Sequence, residues 1–333
     1  MRAVRVRAHG GLEALETVEI PPPRAAEGEV LVDVTHVGLN HLDVWVRRGV
    51  PGHRFALPLT AGADVVGRRR DTGEAVAVMP SVSCMRCAAC LGGHHDRCRH
   101  HEIRGEGIDG GLCEQLAVPA WQLLPLDGLP PAQAAALPLA LLTAWHMVVG
   151  RARVQPGDTV LVQGGAGGVA SLAIQVARLC GARVVATAST PDKRALCVRL
   201  GAEAAWDYAD LRAQLKTWAP GGVDVVVEHV GAATWEASVR AARWGGTVVT
   251  CGATTGHEVP LNLRVLFFKQ LSLLGSTMGS FGELRTAWSA AVAGRVVPVV
   301  DRVLPVREVG RAHQLIEDRQ VAGKVVLAVE GGW

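Results

Sequence analysis

The chain's 333 residues exceed what one ordinary hydrophobic core organises, so two domains are expected. Apolar residues at 49% and charged residues at 20% describe a globular chain, and a net charge of +3 argues against nucleic acid as a partner. No stretch has the length of a membrane span: the most apolar, Ala134 to Val149, is short and carries Pro138 and His146.

Residues 1–7 alternate polar and apolar like a strand and lack the apolar centre of an export signal. The cytoplasm is therefore expected, and there clustered cysteines suggest metal rather than disulfides. Val-rich strands broken by Gly and Pro follow at Glu29 to Val34, Asp64 to Gly67, Ala75 to Val78 and Gln115 to Val118, the pattern of a mostly antiparallel β domain. Arg68, Arg69 and Arg70 are read as a solvated turn. Between these strands, Cys84-x2-Cys87-x2-Cys90-x7-Cys98 is the most specific signal in the chain. Four thiolates suit a closed tetrahedral zinc site with no position left for water or substrate. An iron–sulfur cluster uses similar spacings.

A Pro-rich connector around Leu123 to Pro131 leads into a helical stretch, Ala132 to Gly150, interrupted by Pro138. From Asp158 strands and helices alternate: a strand to Gln163, a helix Val169 to Cys180, a strand Arg183 to Ala188, and a helix Pro191 to Leu200. Apolar strands follow at Val223 to Val227, Gly246 to Cys251 and Leu271 to Leu274, so a doubly wound parallel sheet of Rossmann type is predicted. The tail adds a helix, Glu283 to Ala293, and a last strand, Val325 to Val329.

Gly165-Ala166-Gly167-Gly168-Val169-Ala170 fits G-x-G-x-x-G/A between an apolar strand and an amphipathic helix. Gly165 is assigned to the tight turn and Gly167 to close approach of a pyrophosphate, which would meet the unpaired N–H groups at Gly168 and Val169. A glycine-rich turn without a ligand is the alternative. The next strand ends in Ala188 and Ser189 rather than the carboxylate an NAD site wants, while Lys193 and Arg194 could meet a 2′-phosphate. NADP is therefore the expected cofactor, with NAD possible because Asp192 is near; Asp192 is otherwise a candidate helix cap.

A β domain with a four-cysteine lobe, a Rossmann domain and a return segment together resemble the zinc-containing alcohol dehydrogenases of the medium-chain dehydrogenase/reductase superfamily. The likeness covers nearly the whole chain. It is nearest to the quinone oxidoreductase branch through Gly38-Leu39-Asn40-His41-Leu42-Asp43-Val44-Trp45, Leu142-Thr143-Ala144-Trp145-His146-Met147 and Leu274-Gly275-Ser276-Thr277-Met278. It implies a GroES-like catalytic domain at 1–126 with its zinc lobe at 84–98, a nicotinamide domain at 127–275, and a return segment at 276–333.

The departures from that family matter. Its three catalytic zinc ligands fall at positions that read Asn40, Ala63 and Leu139 here, and the hydroxyl of its proton relay is replaced by Leu42. A catalytic zinc is not expected, leaving one structural zinc per chain. Without a Lewis acid to stabilise an alkoxide, hydride delivery to a quinone or an α,β-unsaturated carbonyl is favoured. The resemblance puts Asn40 beside the nicotinamide as a donor to the substrate carbonyl, although Asn40 could instead be a turn residue serving its own backbone. It also puts Thr143 at the nicotinamide, and His41 and Lys324 at the pyrophosphate. Gly231, Gly252, Ser276, Thr277 and Met278 line the cofactor channel, and Asp64 is left as a structural residue or proton relay.

The expected function is thus an NADPH-dependent reductase of activated small-molecule acceptors, forming a homodimer or homotetramer by family habit, with no nucleic-acid or membrane partner. A zinc-free alcohol or aldehyde dehydrogenase and a non-catalytic nicotinamide-binding protein are the alternatives.

Overall fold

Strand Glu29–Gly38 organises the first half of the chain, and its length is what lets it do so. One edge pairs antiparallel with Asp64–Arg69. The other edge is shared: residues 29–33 pair with Gln115–Pro119, and residues 36–38 pair with the chain's last strand, Lys324–Ala328. A register irregularity between Val34 and His36 bends the strand between these two partners. Strands 75–78, 123–125 and 300–305 complete a seven-stranded sheet, and Arg2–Val6 nucleates a separate three-stranded one. Alternate residues (Val32, Val34, Val65, Val76, Val78, Val325) are buried on one side in a common core, as period-two patterning requires. The computed structural model describes residues 1–333.

Two compact units result. The first holds residues 1–140, 280–292 and 298–333; the second holds 141–279 and 293–297. The stretch 127–140 thus packs with the β unit rather than with the nicotinamide domain in which it was expected. Gly38 shows why. A Cβ there would lie 1.9 Å from the Ala135 carbonyl oxygen, so only glycine lets residues 131–135 lie directly on the central strand.

The second unit is a six-stranded parallel sheet in the spatial order 204–206, 183–187, 159–162, 223–228, 242–250, 272–275. Both faces are covered, so Val160, Leu161, Val162, Val184, Val185, Val226 and Val248 are buried without alternation. The chain starts at the central strand Thr159–Val162, winds outward one way and then the other. The order therefore reverses beside the carboxyl end of that strand, where doubly wound sheets bind their ligands.

Several local expectations need correction. The strand at 29 runs to Gly38, and Arg68 and Arg69 end a strand instead of forming a turn. The single helix expected over 132–150 is three segments: Pro131–Ala134, Pro138–Trp145, and a π-helical turn, His146–Arg151. Pro138 opens the second segment because proline fits a first turn and not an interior. Thr190, not Asp192, caps the helix Pro191–Arg199, its hydroxyl accepting from Lys193 N at 3.3 Å. No helix is long and apolar enough to cross a membrane.

Candidate active site

In the second unit the turn after strand 159–162 carries the phosphate-binding pattern. Its left-handed residue is Gly164, at φ +60°, not Gly165 as the motif suggested. Gly165 has a different function: a Cβ would sit 2.8 Å from both Ala186 Cβ and Cys197 Sγ, so it lets helix and strand pack closely. Gly167 is the N-cap of Gly168–Leu179 and no side chain caps that helix, so the first amides, including those of Gly168 and Val169, are left for an anion. Ala170 is fully buried behind them.

At the tip of the second strand Ser189 is exposed, and Lys193 and Arg194 are half-buried. Arg194 donates to Asp207 at 3.0 Å and to the Ala188 carbonyl at 3.2 Å, which holds its guanidinium at the end of that strand. Thr143 is buried on helix 138–145. Gly231 takes φ +92°, and a Cβ there would lie 2.5 Å from Gly256 O, while a Cβ on Gly252 would lie 3.1 Å from His229 O. The Ser276 backbone is fixed by Thr250 O at 2.8 Å; its hydroxyl is buried with no protein partner, a polar atom left for a bound group. Exposed Thr277 and buried Met278, at φ +47°, complete this segment. The open amides and the orphan hydroxyl fit a dinucleotide.

The sequence did not single out Glu228. It is fully buried and accepts from Val230 N, Gly231 N, Thr234 and Ser238 at 2.5–3.0 Å, which positions the Gly231 turn. Its signal was an acid closing the Val-rich strand Val223–Glu228.

In the first unit, Asn40, Asp64, Leu139 and Lys324 come together, because Gly38 is registered against both Asp64 and Val326. Asp64 is 0% exposed. Its Oδ1 accepts from Leu139 N at 2.6 Å; its Oδ2 accepts from Asn40 Nδ2 and Lys324 Nζ, each at 2.9 Å. Lys324 Nζ also donates to Asn40 Oδ1. Asn40 is therefore more than a turn residue, since its side chain is committed to this network. Lys324, expected at the pyrophosphate, has its ammonium buried against Asp64. His41 opens helix His41–Arg48, edge-on to Trp45.

Beneath lies Asp43, which accepts from Asn40 N at 2.7 Å and Gly62 N at 3.0 Å. Burial pushes its carboxyl up to about 6, against the pull of those amides and of the Lys324 charge.

These residues do not fit a catalytic zinc. Two of the three ligand positions, Ala63 and Leu139, have no donor atom on their side chains, and the third supplies an amide. The nearest carboxylate, Asp64, already holds an ammonium ion. The four cysteines do fit a metal: their sulfurs all lie within 4.8 Å of one another and none is in a disulfide. The Arg86 and Cys87 backbone amides draw the Cys84 thiol down to about 6, toward the thiolate a zinc ion needs.

A phosphate-binding turn at the switch point of a doubly wound sheet and a β unit with a buried polar cluster define a two-domain nicotinamide-dependent oxidoreductase. Residues 26–128 match the alcohol dehydrogenase GroES-like domain, and residues 168–293 match the zinc-binding dehydrogenase family. A crotonyl-CoA reductase of Streptomyces collinus is 31% identical, over 94% of this chain and 82% of its own. A quinone oxidoreductase of Rattus norvegicus is 28% identical over 98% and 97%. A crystal structure described as an NAD-dependent alcohol dehydrogenase superposes with a TM-score of 0.95 at 40% identity, covering 99% of this chain and 100% of its own. The chain belongs to the medium-chain dehydrogenase/reductase superfamily, and it is an NAD(P)-dependent oxidoreductase.

Proposed function

We propose that this enzyme uses NADPH to reduce a quinone or an α,β-unsaturated carbonyl, without a catalytic metal. The observation that carries the reading is the content of the Asp64 cluster, which offers hydrogen-bond donors where a metal would need ligands. The names of the crotonyl-CoA reductase and the quinone oxidoreductase support the same acceptor class. The bound dihydronicotinamide supplies the hydride. The chain's own part is to hold and polarise. The open amides at Gly168 and Val169 bind the pyrophosphate, and Lys193 and Arg194 face the 2′-phosphate. Hydrogen-bond donors of the chain stabilise the negative charge that develops on the acceptor's oxygen. Zinc at Cys84, Cys87, Cys90 and Cys98 holds its lobe and supplies no chemistry. A small-molecule substrate, a cytoplasmic setting and a homo-oligomer complete the proposal.

NADPH oxidation against quinones, enones, enoyl thioesters and aldehydes, with NADH in parallel, tests it. Turnover with quinones or enones and preference for NADPH are expected. The structure described as an NAD-dependent alcohol dehydrogenase favours a second reading. Steady oxidation of simple alcohols with NAD, and no enone or quinone reduction, would replace the first reading with that one.

A further inference from the structure

We infer that His229 is a cofactor-binding residue whose two ring nitrogens have separate tasks. Its Nε2–H fixes the phosphate-binding turn, and its Nδ1 accepts from a hydroxyl of the ribose on the nicotinamide side of the dinucleotide. The inference rests on dinucleotide binding and not on the choice of acceptor, and all the protein groups it uses belong to the second unit. His229 directly follows the strand Val223–Glu228, where no motif singles it out. Its Nε2 lies 2.9 Å from the Gln163 carbonyl oxygen, just past the end of strand 159–162. A Cβ on Gly164 would lie 3.3 Å from Nε2, and one on Gly167 would lie 3.4 Å from Cε1. The imidazole therefore borders both glycines of the turn, next to the open amides of Gly168 and Val169.

The tautomer follows from the partner. A carbonyl oxygen only accepts, so Nε2 carries the proton and Nδ1 of the neutral ring carries a lone pair. Desolvation pushes the imidazole below its ordinary pKa, against the pull of the Glu228 carboxylate and the Gln163 carbonyl, which keeps the ring neutral. Nδ1 has no partner in the protein, and the residue is half-buried rather than sealed in the core. A lone pair cannot bond a phosphate oxygen, which is itself an acceptor. The donor that a dinucleotide offers beside its pyrophosphate is a ribose hydroxyl. Sheet order decides which ribose. Strand 159–162 lies between 183–187, whose end carries Ser189, Lys193 and Arg194, and 223–228, whose end carries His229. A dinucleotide lies across the carboxyl ends of such strands, with its adenosine ribose over the strand that follows the glycine turn. The ribose on the His229 side is then the one joined to nicotinamide.

Calorimetry of wild type, His229→Gln and His229→Asn tests this with NADPH and NADH, and with 2′,5′-ADP and ADP, fragments that end before the second ribose. Glutamine keeps a donor for Gln163 and has no acceptor at the Nδ1 position. In His229→Gln both whole cofactors should therefore weaken about tenfold, with the fragments unchanged within about twofold. Equal loss for cofactors and fragments in that variant, or no loss at all, would overturn the inference. Asparagine keeps an acceptor at the Nδ1 position and gives up the bond to Gln163. His229→Asn should weaken cofactors and fragments alike, by about threefold; a loss confined to the whole cofactors would overturn the division of tasks between the nitrogens. A second arm uses wild type only, so it does not depend on a variant folding. Nitrogen NMR of the free protein should show Nδ1 unprotonated, and NADPH should shift its resonance upfield as it accepts a hydrogen bond, whereas 2′,5′-ADP should not. A protonated Nδ1 in the free protein, or a resonance that NADPH leaves in place, would overturn the inference. Tighter binding of NADH than of NADPH would sink the NADPH reading alone, because both cofactors carry this ribose.

Discussion

The cysteine lobe and the Asp64 cluster gather charged side chains in opposite ways. The lobe's ligands span residues 84–98, tied by short helical turns at 88–91 and 95–97, and it leaves Leu91 77% exposed. Its own packing is thin, and four sulfurs so close together suit a cation from outside. The Asp64 cluster draws on residues 40, 64, 139 and 324, all buried within the β unit, and its cation is a lysine of the same chain. A charge held by local chain geometry can wait for a metal. A charge carried into a core by sheet pairing must arrive already neutralised, because an uncompensated buried ion costs several kcal/mol.

Removing zinc should have the largest effect, since a structural site contributes about 10–16 kcal/mol of apparent binding energy. Elemental analysis should find one zinc per chain, and Cys98→Ser or a strong chelator should disorder the lobe, seen as rapid amide exchange confined to residues 84–98. Two zinc ions per chain would erase the contrast between the two regions. Next in size is the cost of breaking the buried ion pair. Lys324→Met should destabilise by about 3–5 kcal/mol in urea unfolding, and adding Asp64→Asn should recover part of it. Full additivity of the two changes would show that the pair is not coupled.

Asp43 gives a smaller effect with a defined sign. Its pKa is raised from 3.8 to about 6, so the folded state binds this proton more tightly than the unfolded chain does. The stabilisation this gives is complete below about pH 4 and is lost as pH rises through about 6. Relative to Asp43→Asn, wild type should lose on the order of 3 kcal/mol across that window, measured by unfolding at each pH. A flat difference would mean the carboxyl is better solvated than its 1% exposure implies. Smallest is Arg194→Ala, expected to weaken NADPH binding about tenfold and NADH binding little, a charge-assisted contact contributing about 1.5–3 kcal/mol. Equal loss for both cofactors would remove the 2′-phosphate role.

What could be read directly from the chain was whatever rests on neighbours in sequence. The cysteine spacing, the glycine turn between an apolar strand and a helix, and the unbroken Val runs of a sheet covered on both faces are all set within about fifteen residues. Even there the turn's left-handed residue was misplaced by one, because packing against Ala186 and Cys197 claims Gly165 and leaves φ +60° to Gly164. Only the tertiary structure decided the rest. It joined Lys324 to Asp64 across 260 positions, engaged Arg194 with Asp207, and set Glu228 under the Gly231 turn. Those partners are fixed by strand register and by the need to satisfy buried charged and polar groups, conditions that exist only once distant strands lie side by side.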